Sequence, residues 1–268
     1  MKNFISITCL FLLLSLSGYG KTIKVLAIGN SFSVDAVEQN LYELAAAQGD
    51  SLIIGNAYIG GCSLRRHMDC LNNHTPRYSY RKIVGGQKIT KDKTTLQSIV
   101  CDERWDIVTF QQSSPLSGIS DSYAVLDSLK CAVSHLITNK QAKYYWHMTW
   151  AYAQNSTHKH FKDYGSSQQT MYDAILSVSR EEVPKVGIHT VIPSGVAIQN
   201  ARLIFGDVMN RDGYHLSDLG RYVAACTWLE IITGKSVIGN HYWPSFLNQA
   251  DAAKVQVAAH NANVTYKF

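Results

Sequence analysis

The chain has 268 residues, of which 46% are hydrophobic and 17% are charged, and its formal net charge is +5. These values exclude a disordered or strongly charged chain, and the length suits one α/β domain with insertions. Nucleic acid is not an expected partner, because no recognisable nucleic-acid-binding module is present.

The first twenty residues have the pattern of a secretory signal peptide. Lys2 supplies the positive charge, Ile5 to Leu16 is apolar, and Gly18-Tyr19-Gly20 is a small-x-small cleavage site. The apolar stretch is short for a membrane span. The pattern predicts a signal peptide at residues 1–20 and an exported, periplasmic or extracellular domain over residues 21–268, without stable membrane insertion.

The first element of the mature domain is a predicted strand from Ile23 to Ile28, rich in apolar and β-branched residues. A break at Gly29-Asn30-Ser31 follows, and apolar residues at helical spacing predict a helix from Val34 to Gln48. Ser31 therefore lies at the carboxyl end of the strand, the edge where open α/β sheets bind ligands. It is either an exposed nucleophile or the N-cap of the helix.

Predicted strands and helices alternate along the rest of the chain. The further strands are Ser51–Tyr58, Trp105–Phe110, Ala142–Thr149 and Val186–Ile192, and the helices are Thr94–Cys101, Asp121–Asn139, Ser167–Glu182, Ala197–Phe205, Ser217–Thr233 and Gln249–Asn261. This alternation predicts one domain with a mainly parallel, five-stranded sheet that is covered by helices on both faces.

A basic insertion at about residues 64–93 interrupts the alternation. Between Cys62 and Lys93 there are eight basic and two acidic residues. Within this stretch, Tyr78 to Thr90 is typical of a β-hairpin that turns at Gly85-Gly86. Such a surface either attracts an anionic substrate or is simply a solvated face.

Five cysteines remain after removal of the signal peptide, so at least one has no disulfide partner. Cys62 and Cys70 are close in sequence and are candidates for a disulfide in an oxidising compartment. The alternative is that the cysteines are buried free thiols.

Other chemistry-bearing residues give weaker patterns. His158-Lys159-His160 has no third ligand at a recognisable spacing, so we expect no metal site. Several aromatic residues are either sugar-stacking or core residues: Trp146, Trp150, Tyr152 and Trp228.

The segment Asp212-Gly213-Tyr214-His215 precedes a late predicted helix. If it bends over the strand ends, His215 reaches Ser31 and takes the proton from its hydroxyl, which is a poor nucleophile without a base. Asp212 would then hold the imidazole in the useful tautomer and stabilise its cation. The alternative is that Asp212 is a turn residue and His215 only starts the helix.

Gly29-Asn30-Ser31 after the first strand, combined with Asp212-x-x-His215 before a late helix, resembles the SGNH (GDSL-like) hydrolase superfamily. The resemblance covers Lys21 to about Thr233, and a first block Gly-Asn-Ser-Phe-Ser is similar to that of an exported, uncharacterised branch. It implies a flavodoxin-like three-layer α/β/α sandwich and no metal or cofactor. It also implies Ser31 as nucleophile, His215 as base and Asp212 as its orienting partner.

The resemblance further implies an oxyanion hole with three donors. These are the backbone N–H of the nucleophile, here Ser31, a glycine N–H after the second strand, and an asparagine side chain after the third. The glycine corresponds to Gly61, with Gly60 as the alternative. The third strand is followed by glutamines instead of asparagine, so we expect the amide of Gln111, or else that of Gln112, to take that place.

The resemblance implies an exported serine esterase that removes O-acetyl or other short acyl groups. Carbohydrate esterases of the superfamily also place a glutamine near the third donor, which favours a glycan as substrate, and another ester-bearing small molecule is the alternative. Two alternatives remain, an O-acyltransferase on the same triad and a non-catalytic glycan-binding protein on this scaffold.

Gly49-Asp50-Ser51-Leu52 spells the family's alternative name, but Ser51 is not the predicted nucleophile. Gly49 ends the first predicted helix and Ser51 begins the second strand. Ser51 therefore belongs to the amino edge of the sheet, whereas Ser31 lies at the carboxyl edge.

Overall fold

A seven-stranded sheet forms the centre of the computed structural model, which describes residues 22–266. The strands are β1 (Thr22–Gly29), β2 (Ser51–Tyr58), β3 (Tyr78–Val84), β4 (Gln87–Thr94), β5 (Ile107–Phe110), β6 (Lys143–His147) and β7 (Thr190–Ile192). The predicted signal peptide at residues 1–20 lies outside the described residues.

The strand order is β4-β3-β2-β1-β5-β6-β7. The run β2-β1-β5-β6-β7 is parallel, which confirms the predicted parallel sheet. Taken by themselves, these five strands have the flavodoxin-like order 2-1-3-4-5. The sheet is nevertheless wider than expected, because the basic insertion adds β3 and β4 as antiparallel strands beside β2.

Helices cover the sheet as a three-layer α/β fold requires. They are α1 (Ser31–Val37), α2 (Leu41–Ala47), α3 (Leu64–Asn72), α4 (Leu96–Cys101), α5 (Leu126–Leu136), α6 (Gln168–Glu182), α7 (Ser194–Phe205), α8 (Asp218–Thr233) and α9 (Gln249–Thr265). None of the helices between residues 22 and 266 is both long and apolar enough to cross a bilayer.

The prediction of one helix from Val34 to Gln48 is wrong. The chain instead forms α1 and α2, and Asn40 between them adopts φ 65°. Asparagine tolerates this left-handed conformation better than most residues, so it permits a change of direction that helical spacing alone does not reveal. The predicted strand Val186–Ile192 is also too long, because a 3-10 turn occupies Pro184–Val186.

Burial decides between the alternatives left open for the aromatic residues and the cysteines. The aromatic candidates for sugar stacking are all at most 1% exposed, so they belong to the core: Trp146, Trp150, Tyr152 and Trp228.

Cys62 and Cys70 are free, buried thiols, and the disulfide between them does not form. Burial raises the pKa of the Cys62 thiol to about 12, which makes it unreactive.

The hairpin of β3 and β4 turns at Gly85 and Gly86, as predicted. Their φ angles are 57° and 76°, the positive values that a tight two-residue hairpin turn requires. Several of its cations pair with acids outside the hairpin: Arg81 and Lys88 with Glu38, and Lys82 with Asp102 and Glu103. Three of the eight basic residues of the insertion therefore have acidic partners elsewhere in the chain.

The register of the first two strands separates the two serines. Ser51 pairs with Thr22 at the start of β1, whereas Gly29, two residues before Ser31, pairs with Tyr58. Seven residue steps of ~3.3 Å put about 23 Å between these edges. A histidine within reach of Ser31 cannot also reach Ser51, because base and nucleophile must approach to about 3 Å.

If the chain hydrolyses esters as the resemblance implies, we expect Ser31→Ala to abolish nearly all of that activity and Ser51→Ala to retain most of it. The two variants are compared with the wild-type chain on the same ester after their folding has been checked by circular dichroism. The opposite ranking would contradict the assignment of the site to the carboxyl edge of the sheet.

Candidate active site

Ser31 lies on the turn between β1 and α1. It is the first residue of α1, and the N-cap Asn30 accepts a hydrogen bond from the Phe32 N–H at 3.0 Å. A Cβ atom on Gly29 would lie 2.8 Å from the Gln111 amide, so only glycine fits there. Ser31 is half-buried, and its hydroxyl has no hydrogen-bond partner among residues 22–266.

Asp212 and His215 form a local hydrogen-bonded pair. The Asp212 Oδ2 atom accepts from His215 Nδ1 at 2.7 Å, and Oδ1 accepts from the backbone N–H groups of His215 and Tyr214 at 2.7 and 3.1 Å. Burial alone would raise the pKa of Asp212, but these hydrogen bonds outweigh it and lower that pKa. The carboxylate stays ionised, so Nδ1 of His215 carries the hydrogen and Nε2 is left as the basic nitrogen.

The loop that carries this pair is held by hydrogen bonds that its own backbone carbonyl groups accept. The Arg211 N–H donates to the His215 carbonyl at 2.9 Å, and the Trp150 indole N–H donates to the Tyr214 carbonyl at 2.8 Å. The Ala153 N–H donates to the Gly213 carbonyl at 2.8 Å. Trp150 and Ala153 belong to the segment that follows β6, so this segment holds the loop of His215.

The structure brings this loop to the first turn of α1. The ring of Phe32, the residue after Ser31, stacks on Trp150 with centroids 4.3 Å apart. The same ring faces the His215 imidazole at 6.0 Å, in an edge-on arrangement. Ser31 and His215, which are far apart in sequence, thus share one small region at the carboxyl edge of the sheet.

Gly61 belongs to a turn that is linked to the turn of Ser31. The turn is closed by the Cys62 N–H, which donates to the Ile59 carbonyl at 3.1 Å, and Gly61 adopts φ 59°. Asn30 Nδ2 donates to the Cys62 carbonyl at 3.0 Å and so links this turn to the turn of Ser31. The Gly61 N–H donates to no described residue, and the Ser31 N–H has no partner within its helix.

The Gln111 side chain belongs to a buried chain of hydrogen bonds. It is 2% exposed, and its Nε2 donates to Asn30 Oδ1 at 2.9 Å. His147 Nδ1 donates to Gln111 Oε1 at 2.9 Å, and His147 Nε2 accepts from the Ser194 hydroxyl at 3.0 Å. The chain of hydrogen bonds joins residues at or just beyond the ends of β1, β5, β6 and β7, so Gln111 holds Asn30 in place instead of opening its amide to solvent.

Gln112 is engaged in a different set of contacts. Its Nε2 donates to the carbonyl and hydroxyl of Ser122 at 3.0 Å each, and its Oε1 accepts from the Leu64 N–H at 3.0 Å. Both side-chain amides are therefore engaged within the chain, and the assignment of Gln111 or Gln112 as the third oxyanion donor stays a prediction. Sequence reasoning overlooked His147 and Ser194, because nothing in their local pattern distinguishes them from ordinary strand-end residues.

The motif His158-Lys159-His160 lies beside the site without forming a metal centre. His158 packs against the rings of Tyr152 and Tyr214, with centroids 4.8 and 4.9 Å away. His160 pairs with Asp163 at 2.8 Å. Within the described range no group of three or more histidine, cysteine or acidic side chains is arranged to hold a metal ion.

A protein-family model described as a domain of unknown function, DUF4886, matches residues 24–262. The chain belongs to the DUF4886 family. The crystal structure of a DUF4886 family protein from Bacteroides uniformis is 48% identical, with a TM-score of 0.89 over 91% of this chain and 95% of that one. A comparison with curated proteins gives no match.

Two more distant structures share the fold. A candidate SGNH hydrolase from Slackia heliotrinireducens is 19% identical, with a TM-score of 0.53 over 79% of this chain and 99% of that one. A variant of an acetyl xylan esterase from Geobacillus stearothermophilus is 14% identical, with a TM-score of 0.51 over 84% of this chain and 99% of that one. These similarities establish that the DUF4886 chain has an SGNH-like fold.

The buried position of His147 has a consequence for acid stability. Burial lowers the pKa of His147 from 6.5 to about 3, so the imidazole is neutral in the folded protein. Below pH ~6.5 the unfolded chain binds a proton at this residue that the folded chain does not. The free energy of unfolding therefore decreases as the pH is lowered from ~6.5 towards 3.

We expect His147→Gln to make the free energy of unfolding less dependent on pH between about 6.5 and 3, as measured by urea denaturation at several pH values. The slope decreases without vanishing, because His67 is also buried with its pKa lowered to about 3. His189→Gln is the matched control, since His189 is exposed. An unchanged slope in His147→Gln would show that His147 is not held neutral.

Proposed function

We propose that this DUF4886 protein is an exported serine esterase that hydrolyses O-acetyl or other short acyl esters on carbohydrate. The observation that carries the proposal is the Asp212–His215 pair, whose basic Nε2 lies on the loop that meets the helix of Ser31. An imidazole ordered by an ionised carboxylate and placed near a free serine hydroxyl is the arrangement that acyl transfer to serine requires.

The proposed reaction has two balanced halves. The Ser31 oxygen attacks the ester carbonyl while His215 Nε2 takes the hydroxyl proton, and Asp212 stabilises the resulting imidazolium. Collapse of the tetrahedral intermediate releases the sugar alcohol, which receives that proton from His215. Water then attacks the acyl-enzyme with His215 again as base, which releases the carboxylic acid and regenerates Ser31.

The negative charge of each tetrahedral intermediate needs donors that are already in position. We assign this role to the backbone N–H groups of Ser31 and Gly61, whose turns Asn30 links through the Cys62 carbonyl. Gln111 acts in this proposal by fixing Asn30. Removal of a single oxyanion donor commonly costs ~10²–10³ in kcat, so the placement of these two turns is catalytically important.

One structural similarity and one sequence pattern support the choice of acetyl esters on carbohydrate as substrate. One structural neighbour is described as an acetyl xylan esterase, and two of its solved forms are described as catalytic mutants, one lacking a serine and the other an aspartate. The secretory pattern of residues 1–20 also supports the proposal, because an exported enzyme would encounter polysaccharides as substrates.

The deciding experiment measures release of p-nitrophenol from p-nitrophenyl acetate and of acetate from acetylated polysaccharides. We expect turnover by the wild-type domain and nearly none by Ser31→Ala, because the variant has no nucleophile at this position to accept the acyl group. Equal rates for both proteins on all substrates would contradict the proposal. Binding of glycans without hydrolysis would favour a glycan-binding protein, and acyl transfer to an added sugar instead of water would favour an acyltransferase.

The rate should also depend on pH in a defined direction. His215 accepts the serine proton only when its imidazole is neutral, so protonation of that imidazole in acid should lower kcat/KM for an uncharged ester. Asp212→Asn should lower the plateau by roughly 10²–10⁴-fold, because Nδ1 loses its anionic partner. A flat profile would contradict the role of His215 as base.

A further inference from the structure

Asp35 on α1 is a buried carboxylate on which three donors converge. It is 0% exposed. The Leu216 N–H donates to its Oδ2 at 2.8 Å, and the guanidinium groups of Arg211 and Arg221 donate to its Oδ1 at 3.0 and 2.9 Å. The partners come from the loop of His215 and from α8, 176 to 186 residues further along the chain.

The position of this carboxylate relates it directly to the proposed reacting groups. Asp35 follows Ser31 by four residues on the same short helix, so the two lie on one side of it, about 6 Å apart along its axis. Leu216 directly follows His215. The hydrogen bond between Asp35 and the Leu216 N–H therefore connects a residue four positions after the proposed nucleophile with the residue that follows the proposed base.

Arg211 reinforces the same connection from the other side of the loop. Its guanidinium also donates to the Leu216 carbonyl, and its backbone N–H donates to the His215 carbonyl at 2.9 Å. A buried carboxylate is costly unless it is paired and fully hydrogen-bonded, and two guanidinium groups with one backbone N–H meet that requirement here. The carboxylate holds the backbone on the C-terminal side of His215, whereas Asp212 orders its ring.

We propose that Asp35 is a positioning residue that sets the distance between His215 Nε2 and Ser31 Oγ. This inference rests on the proposed esterase function for its catalytic consequence. Base and nucleophile must stand within about 2.6–3.2 Å, and a displacement of 1 Å by a mutation away from the chemistry can cost ~10² in rate. Asp35 touches neither the substrate nor the reacting atoms.

The first test compares Asp35→Asn, Asp35→Ala and Asp50→Ala. Asparagine keeps an acceptor for the Leu216 N–H but removes the charge, whereas alanine removes both. Asp50 is the matched control, because it is also buried, at 8% exposure, and pairs with Lys235 at 2.6 Å, but it lies beside Ser51 at the opposite edge of the sheet. All assays run well below the lowest Tm.

We expect kcat to fall roughly 10-fold in Asp35→Asn and ~10²-fold in Asp35→Ala, with KM within about twofold of the wild-type value. Asp50→Ala should lower Tm with kcat unchanged. If Asp35→Ala does not fold, Arg211→Met takes its place, because the Arg211 side chain is 42% exposed and its loss is tolerable. Folded Asp35 variants with wild-type kcat, or an equal kcat loss in Asp50→Ala, would overturn the proposal.

A second readout does not depend on catalysis. Hydrogen exchange of the Leu216 amide, measured by NMR, should be at least ~10-fold faster in Asp35→Ala than in the wild-type protein and unchanged in Asp50→Ala. Unchanged exchange in Asp35→Ala would overturn the proposal. If the wild-type protein and Ser31→Ala hydrolyse esters equally slowly, the esterase function fails, and faster Leu216 exchange still supports the placement of His215 by Asp35.

Discussion

The side chain of Asn30 is the contact on which the geometry of the site depends. Its oxygen accepts from the Phe32 N–H and from Gln111, and its amide nitrogen donates to the carbonyl groups of Cys62 and Gln112. All its hydrogen-bonding capacity is therefore used while it is 2% exposed. One side chain thus joins the loops that follow β1, β2 and β5, and places the Ser31 and Gly61 turns beside each other before any ligand arrives.

Two aspartates act on the His215 loop in different environments. The Asp212 side chain is 40% exposed and is hydrogen-bonded to the imidazole and to backbone N–H groups, which is consistent with the proposed role of stabilising a protonated His215. The Asp35 side chain is fully buried and neutralised by two arginines, which suits a fixed structural connection. Preorganised groups of this kind reduce the reorganisation needed as charge develops in the reaction.

The hairpin of β3 and β4 gives the sheet a charged outer strand. β4 exposes seven consecutive residues, including Lys88, Lys91, Asp92 and Lys93. Charges on an edge strand discourage pairing with another chain, which explains how an open sheet edge is tolerated. The ion pairs of Arg81 and Lys88 with Glu38 attach the hairpin to the end of α1. The basic insertion therefore has a structural role whether or not it also steers an anionic substrate.

The sequence by itself determined features that depend on neighbours along the chain. The bounds of β2, the turn at Gly85-Gly86, the place of Ser31 after β1 and the Asp212–His215 pair all follow from spacing over a few residues. Only the tertiary structure decided the burial of the aromatic candidates, the free state of the cysteines, the engagement of Gln111 and the partners of Asp35. Those depend on contacts between residues 30 to nearly 190 positions apart, and local patterns of hydrophobicity and turn residues carry no information about which distant side chains will meet.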